Sequence, residues 1–399
     1  MKAQRLGRRT FLQCAALGGV SFMLPRLTLA DADTDARFVL VILRGALDGL
    51  AAVPAYGDGN YASQRGALAI TAPTYKLDGM FALNPGLAQL HARYLAKELV
   101  VFHAVASPYR ERSHFDGQDL LENGAASPVG VHDGWINRML PSMPLARTRR
   151  TEEIAVAVAQ NVPLVLRGDA RVNSWAPSQL PDADADTLER LADLYSTDPQ
   201  LASRLQSALS ANGMVSEGMG NKDGRNPAGQ FNLLAAAAGK LLAGNGARIA
   251  VMDVNGWDTH ANQGAEAGQL ATRLRGLDQG LETLRTALGP AWSKTAVLVV
   301  TEFGRTVAVN GTRGTDHGTA TCAFLVGGAV AGGKVIADWP GLANRSLYQS
   351  RDLQPTLDLR SVFKGTLAAH LGVGERELEE KVFPDSRGAR MLEGLIRKV

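Results

Sequence analysis

Two stretches of this chain set a carboxylate beside an imidazole closely enough for a loop to close both on one divalent ion. Asp258 and His260 lie in Trp257-Asp258-Thr259-His260-Ala261-Asn262, and Asp316 and His317 in Gly314-Thr315-Asp316-His317-Gly318. Alone, the first pair also reads as a hydrogen-bonded polar turn. With Asp316 and His317 added, four donors become available to one metal. A third group, Ser113-His114-Phe115-Asp116, carries a hydroxyl at the predicted start of a helix. Ser-x-x-Asp is a capping box, and a serine there also sits where backbone N–H groups hold an anion; the two readings are compatible. His114 reads either as an acid or base or as a histidine with an ordinary structural role. Glu302-Phe303-Gly304-Arg305 adds a carboxylate and a guanidinium, and Arg44 follows the first apolar run.

These residues need elements to bring them together. Phe38–Leu43, Leu99–Val105, Ile154–Ala159, Arg248–Val254 and Val297–Val300 are apolar runs of strand length with little alternation, the pattern of strands buried on both faces. Cys322–Val326 reads as a further strand. Between them come helical patterns: one opened by Asn84-Pro85, one from Ser113 to Asn123-Gly124, then Thr187–Tyr195, Pro199–Ser210 and Gln230–Ala243. Leu270, Leu274, Leu277, Leu281, Leu284 and Leu288 form one stripe of a long helix packed on the sheet. Asp358 caps a last long helix that stops at Gly372. Residues 212–229 hold five glycines and read as a flexible loop. Alternating strands and helices predict an α/β fold with a largely parallel sheet. In such a sheet the turns at Arg44–Asp48, Ser107–Asp116, Asn255–Asn262 and Glu302–Arg305 share one edge and can meet in a crevice.

The formal net charge of +3 hides an asymmetry. Residues 1–30 hold Lys2, Arg5, Arg8, Arg9 and Arg26 and no acid; without them 37 basic residues face 39 acidic ones. Overall charge therefore gives no support to a nucleic-acid partner. Arg8-Arg9-Thr10-Phe11-Leu12, a modest apolar run from Cys14 to Leu24, and Ala30-Asp31-Ala32 fit a twin-arginine signal cleaved after residue 30 or 32. That predicts passage through the twin-arginine translocase in the folded state, a periplasmic or secreted product, and one domain over residues 36–399. The apolar run is too short to span a bilayer, and no transmembrane anchor is expected. After cleavage only Cys322 remains, so no intramolecular disulfide is expected.

With these motifs in hand, the chain resembles an exported bacterial family, domain of unknown function 1501. The residues that carry the likeness are Leu43-Arg44-Gly45 with Asp48-Gly49, Ser107-Pro108-Tyr109 with Arg112–Asp116, and the Trp257, Glu302 and Gly314 motifs. The family in turn resembles the alkaline phosphatase and sulfatase superfamily. That likeness implies a three-layer sandwich, a mostly parallel central sheet with helices on both faces. It implies a nucleophile at Ser113 and a metal site on Asp258, His260 and His317 or Asp316, although the two-residue spacing of Asp258 and His260 is shorter than the usual four. A second site is degraded, with Arg44 and Asp48 at one position and Glu302 and Phe303 at the other. The expectation is one divalent metal ion at most, zinc being a candidate, with Arg44 or Arg305 supplying the remaining positive charge. Function then divides between a metal-dependent hydrolase of phosphate or sulfate esters, acting on a small anionic substrate, and a non-catalytic periplasmic binding or assembly protein.

Overall fold

A computed structural model of the chain describes residues 35–177, 185–216, 227–244 and 246–398. The predicted signal segment lies outside the described residues. Residues 35–399 form one compact unit.

The strands are β1 (Arg37–Arg44), β2 (Tyr75–Lys76), β3 (Ala82–Leu83), β4 (Leu99–Ala106), β5 (Ala155–Val158), β6 (Asn173–Trp175), β7 (Ile249–Asn255), β8 (Thr295–Val300), β9 (Thr321–Val326), β10 (Lys334–Ile336) and β11 (Leu357–Asp358). The central sheet runs β10-β4-β9-β8-β1-β7-β5-β6, with β11 also pairing with β4. Every pairing in it is parallel except the two made by β9, which is antiparallel to both β4 and β8. The unbroken apolar runs require both faces of each strand to be covered, as they are in a mostly parallel sheet with helices on either side.

Alternation along β1 shows how they are covered. Val39, Val41 and Leu43 join one core with the leucine-striped helix Gln269–Leu288 and the helix Pro227–Ala243. Phe38, Leu40 and Ile42 join the other, with Trp135, Leu359, Val362 and Phe363. All six stripe leucines are buried in the first core, as the periodicity predicts. Helices thus layer both faces of the sheet.

Four helix ends differ from the sequence reading. Asn84-Pro85 forms a turn ahead of a helix that starts at Ala88. The first N–H groups of that helix are satisfied from a distance, Gln89 N and Leu90 N donating to the two oxygens of Asp278 at 2.8 Å each. The helix expected to end at Ser210 runs to Ser216, and the next begins at Pro227, so 217–226, the rest of the expected loop, lies outside the described residues. Ser113 does precede a helix, His114–Asn123, yet its side chain makes no capping bond. Asp116 instead accepts from the Tyr109 hydroxyl at 3.1 Å, so the capping box does not form. Asp358 does cap the helix Leu359–Leu371, accepting from Arg360 N at 2.8 Å, and Gly372 ends it in the left-handed region.

For the site, the important consequence concerns one sheet edge. The carboxyl ends of β1, β4, β7 and β8 lie together there. Because β9 runs backwards, its start lies on the same edge, and the long connection 301–320 spans the gap as an elaborated hairpin. That connection folds onto itself through an antiparallel bridge between Arg305 and His317.

Candidate metal centre

His114, Asp258, His260 and His317 come from three strand exits and converge at that edge. His317 Nε2 lies 3.0 Å from His114 Nε2 and 3.0 Å from His260 Nε2. Asp258 Oδ1 lies 3.0 Å from His260 Nε2 and 3.3 Å from His317 Nε2, and its Oδ2 lies 3.6 Å from His114 Nε2. Among the described residues, His114, Asp258 and His317 form a group able to hold a metal ion, and His260 Nε2 lies beside two of its members, His317 and Asp258, at 3.0 Å each.

The chemistry of the donors is decided at the far side of each ring. His317 Nδ1 is 3.0 Å from the Arg112 carbonyl oxygen, which only accepts, so that nitrogen carries the proton. His114 Nδ1 donates to Glu302 Oε1 at 2.8 Å, and His260 Nδ1 faces Asp316 Oδ1 at 3.3 Å. With all three Nδ1 atoms committed as donors, the Nε2 lone pairs of His114 and His317 are left open beside the Asp258 carboxylate, and that of His260 next to His317 and Asp258. Anchoring of each ligating histidine through its other nitrogen is the arrangement that orients metal ligands. The spacing also fits. Tetrahedral zinc with bonds of about 2.0–2.1 Å needs donor–donor edges of about 3.3–3.4 Å, and within the group of His114, Asp258 and His317 the separations are 3.0, 3.3 and 3.6 Å.

Charge around the cluster follows from burial and pairing. Glu302 is fully buried; burial alone would raise its pKa, but bonds from His114, Thr301 and Gln118 outweigh it and hold the carboxyl below its usual value. His114 is raised, chiefly by its bond to Glu302. His317 is lowered, by burial first and by the neighbouring His114 second. Asp258 is lowered, because Arg305 overcomes the opposing effect of burial.

Close backbone packing makes the convergence possible. Gly45 has φ +119°, and a Cβ there would lie 2.6 Å from Asp258 N. The β1 exit can thus lie directly on the β7 exit, and Gly45 N donates to Glu302 Oε1 at 2.9 Å. At Gly314 a Cβ would lie 2.3 Å from the His260 carbonyl, so glycine there lets the 301–320 connection cover the Asp258–His260 turn.

The family model "Protein of unknown function (DUF1501)" matches residues 98–382, most of the chain. The chain belongs to that family. No curated protein matches it. Among solved structures it is similar to Ps i-CgsB in complex with k-i-k-neocarrahexaose, with TM-score 0.43 and 11% identity over 89% of this chain and 77% of that one. It is similar also to the phosphonate monoester hydrolase of Agrobacterium radiobacter, with TM-score 0.36 and 11% identity over 85% and 74% of the two chains. For a 2-O GAG sulfatase the TM-score is 0.29, at 11% identity over 75% and 66%.

In this DUF1501 chain the other expected site residues take up distinct places. Arg305 is buried, and its donors go to Asp258, to the Thr315 side chain and carbonyl, and to Gly45 O. Arg44 does not reach Glu302. It bonds Glu122 Oε1 at 2.8 Å and Asp253 Oδ2 at 3.1 Å, and meets the cluster only through Gln118, which links it to Glu302 at 3.2 Å on each side. Asp48 pairs with buried Arg65 and accepts from Gln263 Nε2 at 2.7 Å. Phe303 is buried and stacks on His114, ring centroids 5.0 Å apart. Asp316 stands outside the donor set, behind His260. Ser113 precedes His114 at the helix start, with its backbone N–H on the Tyr109 hydroxyl at 3.1 Å.

The sequence reading missed Arg112, whose carbonyl fixes His317, and Gln118, which reaches Glu302. Gln118 lies one helical turn beyond His114 on the same face, a signal that i, i+4 spacing offers once His114 is known to point at the cluster.

Proposed function

We propose that this chain is an exported, metal-dependent hydrolase of phosphate or sulfate esters. The observation that carries this reading is the convergence of His114 Nε2, His317 Nε2 and the Asp258 carboxylate within 3.0–3.6 Å, with His260 Nε2 3.0 Å from both His317 and Asp258 and each imidazole fixed through its Nδ1. Such a set of nitrogen and oxygen donors suits one divalent ion of borderline softness, zinc among them. A bound ion would supply Lewis acidity, offsetting negative charge that develops on the ester oxygens.

The chain's own residues do the rest. Glu302 holds the His114 ring and keeps its Nδ1 protonated, as the Arg112 carbonyl does for His317 and Asp316 for His260. Arg305 positions Asp258 and offsets part of its charge, and with its bonds made to protein oxygens it acts as a positioning residue. Ser113 is the nucleophile under this reading, at the N-terminus of a ten-residue helix whose first N–H groups favour an anion. The paired Arg8-Arg9 segment would deliver the chain, folded and loaded, through the twin-arginine translocase to the periplasm or beyond.

Phe303 favours the alternative, a non-catalytic binding or assembly protein on this fold. Its ring fills space beside His114 and cannot ligate a second ion. Metal analysis of the purified full chain, with a screen of phosphate and sulfate monoesters against wild type, Ser113→Ala and His317→Ala, separates the two. Metal near one equivalent and turnover lost in both variants support the hydrolase. A metal-free chain, or turnover indifferent to both changes, moves the assignment to the binding protein.

A further inference from the structure

We propose that a cleft beside Asp316 binds one neutral sugar ring, the part of an ester substrate next to the reacting group. Only the word ester rests on the hydrolase reading; the binding does not. The cleft has a volume of about 240 Å³ and is walled by Gln64, by the 306–316 connection and by residues 344–351. Drug-sized ligands occupy about 300–1,000 Å³, so this space suits a single ring.

Its chemistry selects the ligand. Gln64 Nε2 is used on Leu342 O and Asn344 Oδ1, which leaves Gln64 Oε1 and Asn344 Nδ2 without protein partners. Arg351 spends Nη2 on the His317 carbonyl at 2.6 Å and keeps Nη1. Asp316 uses Oδ1 on His260 and Asn310 and keeps Oδ2. Ser350 makes no hydrogen bond with its hydroxyl. Open donors and open acceptors therefore line the same small space. A sugar hydroxyl donates and accepts and can satisfy both kinds. Sulfate only accepts, and would face Asp316 Oδ2 and Gln64 Oε1 with nothing to donate. One acid and one base leave the walls without net charge, and Val309 and Leu347 offer apolar surface to ring C–H groups.

One further observation ties the cleft to the metal centre. Asp316 and Arg351 each reach one histidine of the cluster through a single hydrogen bond, so the two sites share a wall.

The test titrates the full chain with D-glucose, D-galactose and N-acetylglucosamine, and with sodium sulfate as the anionic probe, by ligand-observed NMR. Exposed Ala308 lines the cleft, and Ala308→Phe fills it; Asn344→Leu is the second variant should the first fail to fold. The expected result is saturable binding of a neutral sugar, weakened about tenfold or more by either cleft variant and unchanged in His317→Ala. No sugar binding, sugar binding lost in His317→Ala alone, or sulfate bound more tightly than every sugar and displaced by Ala308→Phe would each overturn it. Sugar binding at the cleft without hydrolysis of any sugar ester would keep the binding site and remove the hydrolase reading.

Discussion

His114 and His317 meet Nε2 to Nε2 at 3.0 Å with their rings inclined by 75°. Two imidazole lone pairs cannot face each other at that distance without a cation or a proton between them. The bond from His114 to Glu302 favours a proton on His114, while burial and that same charge keep His317 neutral. Under the proposed metal-dependent reading, the pair is the place where a bound metal ion would displace one proton.

Zinc added to metal-free protein should therefore raise the unfolding temperature. At a free concentration about 100 times the dissociation constant, the gain is about 2.7 kcal/mol. His114→Ala and His317→Ala should each abolish it, and chelator should return wild type to the variants' temperature. Thermal scans with and without zinc, alongside metal analysis, check this. An equal rise in both variants would remove His114 and His317 from the donor set.

Glu302→Gln tests the partner behind His114. The amide keeps an acceptor for the His114 ring but loses the charge, so metal affinity should fall about 10–100-fold. Asp316→Asn should act in the same direction through His260, and more weakly, because Asp316 is exposed where Glu302 is fully buried. Competition with a chromophoric chelator measures both. Loss of all metal in Asp316→Asn would make Asp316 a ligand, as its sequence position beside His317 first implies.

Much of this centre was legible before the structure. The unbroken apolar runs fixed which turns share an edge, and Asp258, His260 and His317 stood out by type and spacing. His114 was harder to place. Its neighbours Ser113 and Asp116 have the pattern of a helix cap, a local reading that says nothing about where the next side chain points. Tertiary contact decided it: Asp116 turns to Tyr109, and Glu302, distant in sequence, draws in the His114 ring. Arg44 shows the converse error. Its position at a strand exit implied a positive charge for the site, but its guanidinium bonds Glu122 and Asp253, and only the fold places them there. The reversal of β9 was invisible for a simpler reason, since a fully buried strand has the same apolar run in either direction.

Asp48→Asn separates a structural carboxylate from a metal ligand. Asp48 and Arg65 are both buried, and removing one charge of such a pair costs about 3–5 kcal/mol. Urea unfolding should show that loss, while metal content per folded molecule stays at the wild-type value. A variant of full stability that has lost its metal would return Asp48 to the site.

His103 should give the fold a measurable weakness in mild acid. It is fully buried at the β4 irregularity, with Nε2 on Val53 O at 3.0 Å and Nδ1 accepting from Ala104 N at 2.8 Å. Its ring stacks on Phe81 with centroids 5.3 Å apart. Burial pushes its pKa down to about 4 from 6.5. In the unfolded chain the ring takes up a proton as pH falls below about 6.5, while the native ring stays neutral until about pH 4, so this term favours unfolding throughout that window. The resulting loss is about 2 kcal/mol at pH 5, nearing about 3 kcal/mol below pH 4. His103→Gln cannot titrate and should lack this slope, even though its stability at pH 7 is lower for the lost packing on Phe81. Urea midpoints for both proteins at pH 7 and pH 5 give the comparison, and parallel declines would show that His103 is already protonated in the native core.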